Sequence, residues 1–385
     1  MSKKIILPVL GIVVGLMILV VVSLAVINKN RDLLPQKTTN KTEATKNGRT
    51  DYSAVARKTL DWIDQQRNDD GWYILERGCN FEAKTCDTVW DNQEGNKDGL
   101  IATWARFNYY QQTKNAKDLA IIKSDINKFY EKYPNGVDNA LWICKITYDM
   151  WKSDVFDQTT KDKLKNICFK SDSNFSKVIS DEKGYRKIFT SQLNDGRQTS
   201  PVWKTWQGYS FVIRGVDSYF GLTSDLLGQY LWTKDNSKLE LAKNYFESGK
   251  KIIAEQSDSV RAEDDCLLGL SAIDLYEYGG KDETYLNYVK EKYLAFSDEN
   301  SDVKKYRTAI CGLMTKRLYQ INENEVFLDG LERNNKVLTG SLLDGGDSVV
   351  NKTNDYGFFV SSNGGFNSPF KNTVENGLVV ELIRD

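Results

Sequence analysis

One local pattern recurs from Asp51 to the C-terminus: a helix ending on an aromatic or aliphatic residue, a short polar turn, and a second helix opening soon after. The stretch from Tyr110 to Ala120 matches that from Leu231 to Ala242, and Tyr278 to Leu286 and Tyr319 to Leu328 hold equivalent places. Around these turns, apolar residues fall at three- and four-residue spacing, the period of a helix with one buried face. In 97–113 the stripe is Leu100, Ile101, Trp104, Phe107 and Tyr110. Twelve such segments lie at 51–66, 97–113, 116–132, 138–152, 158–169, 216–233, 237–254, 262–278, 283–296, 303–320, 324–337 and 373–384. A hairpin unit repeated at roughly 40–50 residues predicts a helical array, because one hairpin cannot bury its own apolar face and must stack on its neighbours.

Ahead of the array, residues 5–27 run for 23 positions without a charge, between Lys3 and Lys4 on one side and Lys29 and Arg31 on the other. About 20 apolar residues suffice to cross a bilayer as a helix, whereas a cleaved secretory signal has an apolar centre of roughly 7–15. The segment therefore reads as a transmembrane anchor embedded in the lipid bilayer, with 1–4 as a cytoplasmic stub, although Ser23-Leu24-Ala25 also has the form of a cleavage site. Flanking basic charge is balanced and sets no orientation. Residues 28–50, rich in Lys, Asn and Thr, cannot bury a core and read as a flexible linker. The first 50 residues hold 8 basic and 2 acidic side chains, which leaves 44 basic and 51 acidic for 51–385. A mildly acidic C-terminal part with no basic run argues against nucleic acid as a partner.

All six cysteines follow the apolar segment. Cys79 and Cys86 bracket one loop. Cys144 and Cys168 stand almost symmetrically about the turn near Val155, so an antiparallel hairpin brings them together. Cys266 and Cys311 fall at matching heights on two helices. Three bridges suit an oxidising compartment, which places residues 51–385 outside the cytoplasm on a single-pass plasma-membrane protein. Metal ligation and unrelated buried thiols are the competing readings, but the chain has no histidine and no CxxC pair, so no metal is expected.

Six hairpins joined by this turn resemble the six-hairpin glycosidase superfamily, and the resemblance implies an all-α (α/α)6 toroid over 51–385, preceded by one transmembrane helix. An open solenoid of tetratricopeptide type is the structural alternative; its loops are uniformly short, whereas 67–96, 170–215 and 338–372 are long here. If the even-numbered helices form the inner ring, all three long loops feed the face at their N-termini. Long loops gathered on a rigid scaffold are where sites are usually built, and helix N-termini add partial positive charge.

That face is rich in carboxylates and aromatic rings. Asp91, Glu94 and Asp98 precede or open the second helix, Asp138 the fourth, Glu263, Asp264 and Asp265 the eighth, and Glu375 the last. Glycoside hydrolysis needs two carboxyl groups, one to protonate the leaving oxygen and one to serve as base or nucleophile. The run Gln93-Glu94-Gly95 followed by Asp138 is similar to family 8 glycoside hydrolases, although the second, Asp-rich motif of that family is reduced here to a single Asp. The resemblance implies Glu94 as the acid and Asp138 as its partner, with Asp91 and Asp265 as further catalytic candidates. Capping competes with catalysis for Asp98, Asp138 and Glu375, since Asp and Glu suit a helix's first turn. Trp72, Tyr73, Trp90, Trp203, Trp206 and Tyr209 fall on or beside the long loops and offer flat faces to pyranose rings; pinning the loops to the ring is their other role. Trp62, Trp104, Trp142, Trp151 and Trp232 lie on helical stripes and read as core.

Without histidine there is no imidazole base and no Ser-His-Asp machinery, and the resemblance implies that epimerases and most lyases on this ring lose weight with it. No phosphate-binding or dinucleotide motif is placed correctly, so no cofactor is implied. Two readings remain: a membrane-anchored, extracytoplasmic glycoside hydrolase acting on a poly- or oligosaccharide through a carboxylate pair, or a non-catalytic glycan-binding or scaffolding envelope protein on the same ring.

Overall fold

A computed structural model of the chain describes residues 45–46, 49–74, 76–80, 85–89, 96–136, 142–179, 202–206, 209–213, 215–255, 262–297, 309–341, 343, 357–358 and 370–384. Two compact units divide at Thr50. In the first, β1 (Thr45–Lys46) pairs antiparallel with β2 (Arg49–Thr50), Thr45 opposite Thr50, so the end of the expected linker carries a short ladder. The expected anchor at 5–27 lies outside the described residues; among those described, no helix is long and apolar enough to cross a membrane.

The second unit contains twelve described helices: α1 (Ser53–Gln65), α2 (Asn96–Thr113), α3 (Ala116–Lys132), α4 (Ile143–Trp151), α5 (Gln158–Ile179), α6 (Gly215–Thr233), α7 (Asn236–Glu255), α8 (Ala262–Tyr278), α9 (Glu283–Ser297), α10 (Ala309–Asn322), α11 (Glu325–Ser341) and α12 (Thr373–Ile383). The even-numbered helices touch in sequence, α2 to α4, α4 to α6, and so on to α10 and α12, and α12 returns to α2. This closure is what an open solenoid lacks. The odd-numbered helices pack outside, α3 on α2, α5 on α4, α7 on α6, α9 on α8 and α11 on α10, while α1 takes the remaining place against α12. Inner helices are apolar on nearly every side, as burial between neighbours demands: Leu226 and Leu227 of α6 and Leu268 and Ile273 of α8 are wholly buried.

The repeated turn has a physical basis. Lys114, Lys234, Lys281 and Glu323 take φ values of 54°, 59°, 61° and 51°, a left-handed conformation that ends a helix. Their amides close the last turn onto the carbonyls of Tyr110, Tyr230, Tyr276 and Tyr319 at 2.7–3.0 Å. In three of the four, the lysine ammonium then lies 4.6–5.5 Å over the same tyrosine ring. The next residue, Asn115, Asp235, Asp282 or Asn324, accepts a hydrogen bond from the backbone N–H two positions on, at 2.9–3.0 Å, which caps the following helix. Replacing Asn115 by Ala is expected to cost about 1 kcal/mol, read as a fall in thermal midpoint; an unchanged midpoint would show that water caps α3 equally well.

The all-α expectation needs one correction: the long connections contain strands. β3 (Glu76–Asn80) lies between β4 (Thr85–Val89) and β7 (Phe370–Asn372), antiparallel to both, with Glu76 opposite Asn372. In this three-stranded sheet β7 runs directly into the N-terminus of α12, and β4 precedes α2 in the chain. The hairpin of β5 (Val202–Trp206) and β6 (Tyr209–Ile213) leads in the same way into α6. The connections at the other ends of the inner helices are all short, so the long connections do gather at the N-terminal end of the ring.

Two of the expected bridges are formed. Cys144–Cys168 joins inner α4 to outer α5, and Cys266–Cys311 joins the neighbouring inner helices α8 and α10. Cys79 is also disulfide-bonded; the side chain of Cys86, its expected partner, lies outside the described residues.

Candidate functional site

At the N-terminal end of the ring, the sequence-predicted residues separate into three groups. Trp90, Asp91, Glu94 and Asp138 lie outside the described residues. Trp203, Trp206 and Tyr209 sit on the β5–β6 hairpin, with Trp206 opposite Tyr209 at its tip and Trp203 opposite Val212, and their side chains lie outside the description. Trp72, Tyr73 and Asp265 are described, and all three are engaged in structure.

Trp72 and Tyr73 are 1% and 0% exposed, which corrects their reading as a sugar platform. Gly71 turns with φ +74°, and the Asn68 side chain accepts from the Trp72 amide at 2.9 Å. The chain thereby folds back and puts the indole against Phe129 and Tyr133 of the α3 region. The Tyr73 hydroxyl donates to Asp125 at 2.6 Å while Arg67 lies 4.1 Å over its ring; burial and the Asp125 charge push that phenol well above its ordinary range. Asp265 pairs with Lys292 of outer helix α9 at 3.0 Å, and so links α8 to α9.

A further group of polar side chains lies at the opposite, short-turn end. There the C-terminal halves of α2, α8, α10 and α12, with α4 along its length, enclose an axial cavity of about 490 Å³. One part of its wall is apolar and aromatic, from Trp104, Phe107, Trp142, Leu270 and Leu313. Trp104 and Trp142, expected as core, are only partly buried, with ring centroids 6.3 Å apart. The rest is charged, and the charges are matched. Lys145 and Lys152 bind the two oxygens of Asp149 at 2.7 and 3.1 Å. Arg317 binds Asp274 at 2.6 Å and also Glu277. Arg384 forks onto Glu381 at 2.6 Å through both nitrogens, and Asn108 donates to the same carboxylate at 2.9 Å. Lys316 Nζ donates to the carbonyls of Glu381, Leu382 and Arg384 at 2.9, 3.2 and 2.5 Å and so caps the C-terminus of α12, where the helix dipole favours a cation.

These pairings set the ionisation. Burial by itself would raise the Asp149 carboxyl, but Lys145 and Lys152 hold it below the usual range. Burial would lower Lys145, yet Asp149 and Asp274 keep it protonated above its ordinary value. Residues 145, 149, 316, 317 and 381 were read only as parts of helices. The signal that could have found them is a charge inside an apolar stripe, such as Lys145 and Asp149 four apart on α4. Among the described residues no group of His, Cys, Asp and Glu could hold a metal ion.

No protein-family model and no curated protein matches the sequence. Solved structures do match. A family 76 glycoside hydrolase (mannosidase) from Bacteroides thetaiotaomicron superposes with a TM-score of 0.54 at 11% identity, over 86% of this chain and 96% of that one. A cellobiose 2-epimerase from Bacillus thermoamylovorans gives 0.55 at 12%, over 86% and 98%. The GH76A α-1,6-mannanase from Salegentibacter sp. HEL1_6 gives 0.50 at 13%, over 86% and 98%. At such identities the likeness establishes the fold alone, a closed (α/α)6 ring, and the solved structures that share it include enzymes of more than one reaction type.

Proposed function

We propose that the chain is a glycan-active protein of the cell envelope and that its reaction is glycoside hydrolysis by a carboxylate pair at the N-terminal end of the ring. The observation that carries this is the closed ring itself, whose three long, strand-bearing connections all enter at one end, in a fold shared with mannan hydrolases. The epimerase likeness points elsewhere, but moving a proton on and off carbon near neutral pH favours an imidazole base, and the chain has no histidine. Hydrolysis through Asp and Glu needs none.

Glu94 and Asp138 are the proposed acid and partner, with Asp91 next in line. On α8, positions 270 and 277 line the axial cavity, and position 263 falls in their heptad register, which adds Glu263 to the set. Disulfides joining α4 to α5 and α8 to α10 support an oxidising location, in keeping with an anchor at 5–27 and a ring outside the cytoplasm.

The test is release of reducing ends from α-mannans and other neutral polysaccharides by the oxidised full chain. Glu94→Gln is expected to abolish release while leaving the thermal midpoint unchanged. Full turnover in that variant removes Glu94 from the mechanism. Saturable binding of a glycan with no release by the unmodified chain supports the second reading, a binding or scaffolding protein on the same ring.

A further inference from the structure

Among the described residues, no part of the long connections lines the axial cavity at the short-turn end, and the proposed hydrolysis does not use it. Its volume, about 490 Å³, falls within the roughly 300–1,000 Å³ of small-molecule sites. Its charges decide what kind of molecule fits. Lys145 and Lys152 are committed to Asp149, Arg317 to Asp274 and Glu277, Arg384 to Glu381, and Lys316 to the last carbonyls of α12. An anion would have to break these pairs, and a cation would meet ammonium and guanidinium groups already seated on the carboxylates. A neutral ligand breaks none of them. Paired ions still keep outward lone pairs and N–H groups that exchange hydrogen bonds with hydroxyls, and Gln111 and Gln320 add amides at the rim.

Another part of the lining is apolar, with Trp104, Phe107, Leu270 and Leu313. The indole Nε1 of Trp104 is buried and finds no hydrogen-bond partner, an uncommon state for a buried donor. A ring with one C–H face and a rim of hydroxyls matches both parts of the lining at once. We infer that this cavity is a second, non-catalytic binding site for a neutral saccharide of one or two units, entered from the short-turn face.

Binding of maltose, cellobiose and α-1,6-mannobiose to the full chain, followed by saturation-transfer NMR in a detergent without a sugar headgroup, tests this directly. At least one disaccharide is expected to bind saturably, with inorganic phosphate unable to compete. Gln320→Trp places a large side chain at the exposed rim without touching the core, and is expected to weaken binding at least tenfold. Gly340→Ala, on outer helix α11 with nothing within 4 Å of the added Cβ, is expected to leave it unchanged. Binding that survives Gln320→Trp, is displaced by phosphate, or disappears with Gly340→Ala overturns the inference, as does the absence of any disaccharide binding. None of these outcomes bears on reducing-end release, which tests hydrolysis separately.

Discussion

Replacing Asp118 by alanine is expected to lower the unfolding free energy by about 3–5 kcal/mol, the cost of removing one member of a buried ion pair. That is a large part of the roughly 5–15 kcal/mol by which folded domains are stable. Asp118, 1% exposed, stands on α3 and takes bonds from two guanidinium groups: Arg57 of α1 at 2.8 and 3.0 Å, and Arg106 of α2 at 2.8 Å. Arg106 is wholly buried, and its Nε already lacks a partner. Its remaining contacts are Asp64 at 2.5 Å and the Leu60 carbonyl at 3.2 Å. Without Asp118, that desolvated cation keeps one partly exposed carboxylate, and three helices lose the group that joins them. Asp61, the exposed partner of Arg57 at 2.8 Å, provides the contrast: its alanine variant is expected to cost about 0–1 kcal/mol, as surface pairs do. Urea unfolding of both variants checks the difference. A loss below about 1 kcal/mol for Asp118→Ala would mean that water reaches Arg106 and replaces the carboxylate.

This cluster shows what the sequence displayed and what it concealed. The amphipathic period of α3 was legible, and its bounds at 116 and 132 are those of the predicted segment, because its buried stripe alternates with lysines and its start is marked by Asn115. Asp118 and Asp125 fall in phase with Ile122 and Phe129 on that stripe, which marks them as buried, but their arginines come from α1, its C-terminal side and α2. A single segment carries no trace of such partners. The turns were legible for a local reason: tyrosine, left-handed residue and Asx cap lie within six residues of one another.

Less of the N-terminal end was readable. β3 pairs with β7, almost 300 residues later, so neither strand shows itself in a local window, and the connection between α1 and α2 read as loop. Their place in a long loop predicts exposure for Trp72 and Tyr73, but the turn at Gly71 folds the Trp72 ring inward onto Phe129 of α3. The predicted segment 138–152 is longer than α4, which begins at Ile143 after Trp142 in a left-handed conformation at φ 69°. The reason for that late start lies on another helix. The carboxylate of Asp225 on α6 accepts the Cys144 amide at 3.0 Å and so satisfies one of the N–H groups that a helix leaves open at its beginning.

Gly228 allows this close seat, and adding a methyl group there is expected to disturb the ring strongly. Asp225, Gly228 and Trp232 lie along one side of α6. The first accepts the Cys144 amide, and the last donates from its indole nitrogen to the Cys144 carbonyl at 3.3 Å. Between them a Cβ on Gly228 would come within 2.6 Å of the Cys144 carbonyl carbon and of the Lys145 nitrogen. Those atoms are backbone and cannot rotate away, so α4 must move outward as a body, against the tether of Cys144–Cys168. Alanine gains about 1 kcal/mol over glycine in a helix interior, but overpacking of this kind costs about 1–3 kcal/mol, and the forced loss of two interhelical hydrogen bonds adds about 1 kcal/mol each. Gly228→Ala is therefore expected to be destabilising by about 2–4 kcal/mol. Gly340 on α11 has nothing within 4 Å of the same added atom, and Gly340→Ala is expected to stabilise by about 0.5–1 kcal/mol. Opposite signs for the two glycines in urea unfolding would locate the effect in the α4–α6 contact and not in helix propensity. Because α4 also carries Trp142, Lys145 and Asp149 to the axial cavity, Gly228→Ala should weaken disaccharide binding there as well, whereas Gly340→Ala should leave it intact. Two glycines behaving alike would mean that α4 adjusts freely and that the close crossing does not hold the cavity in shape.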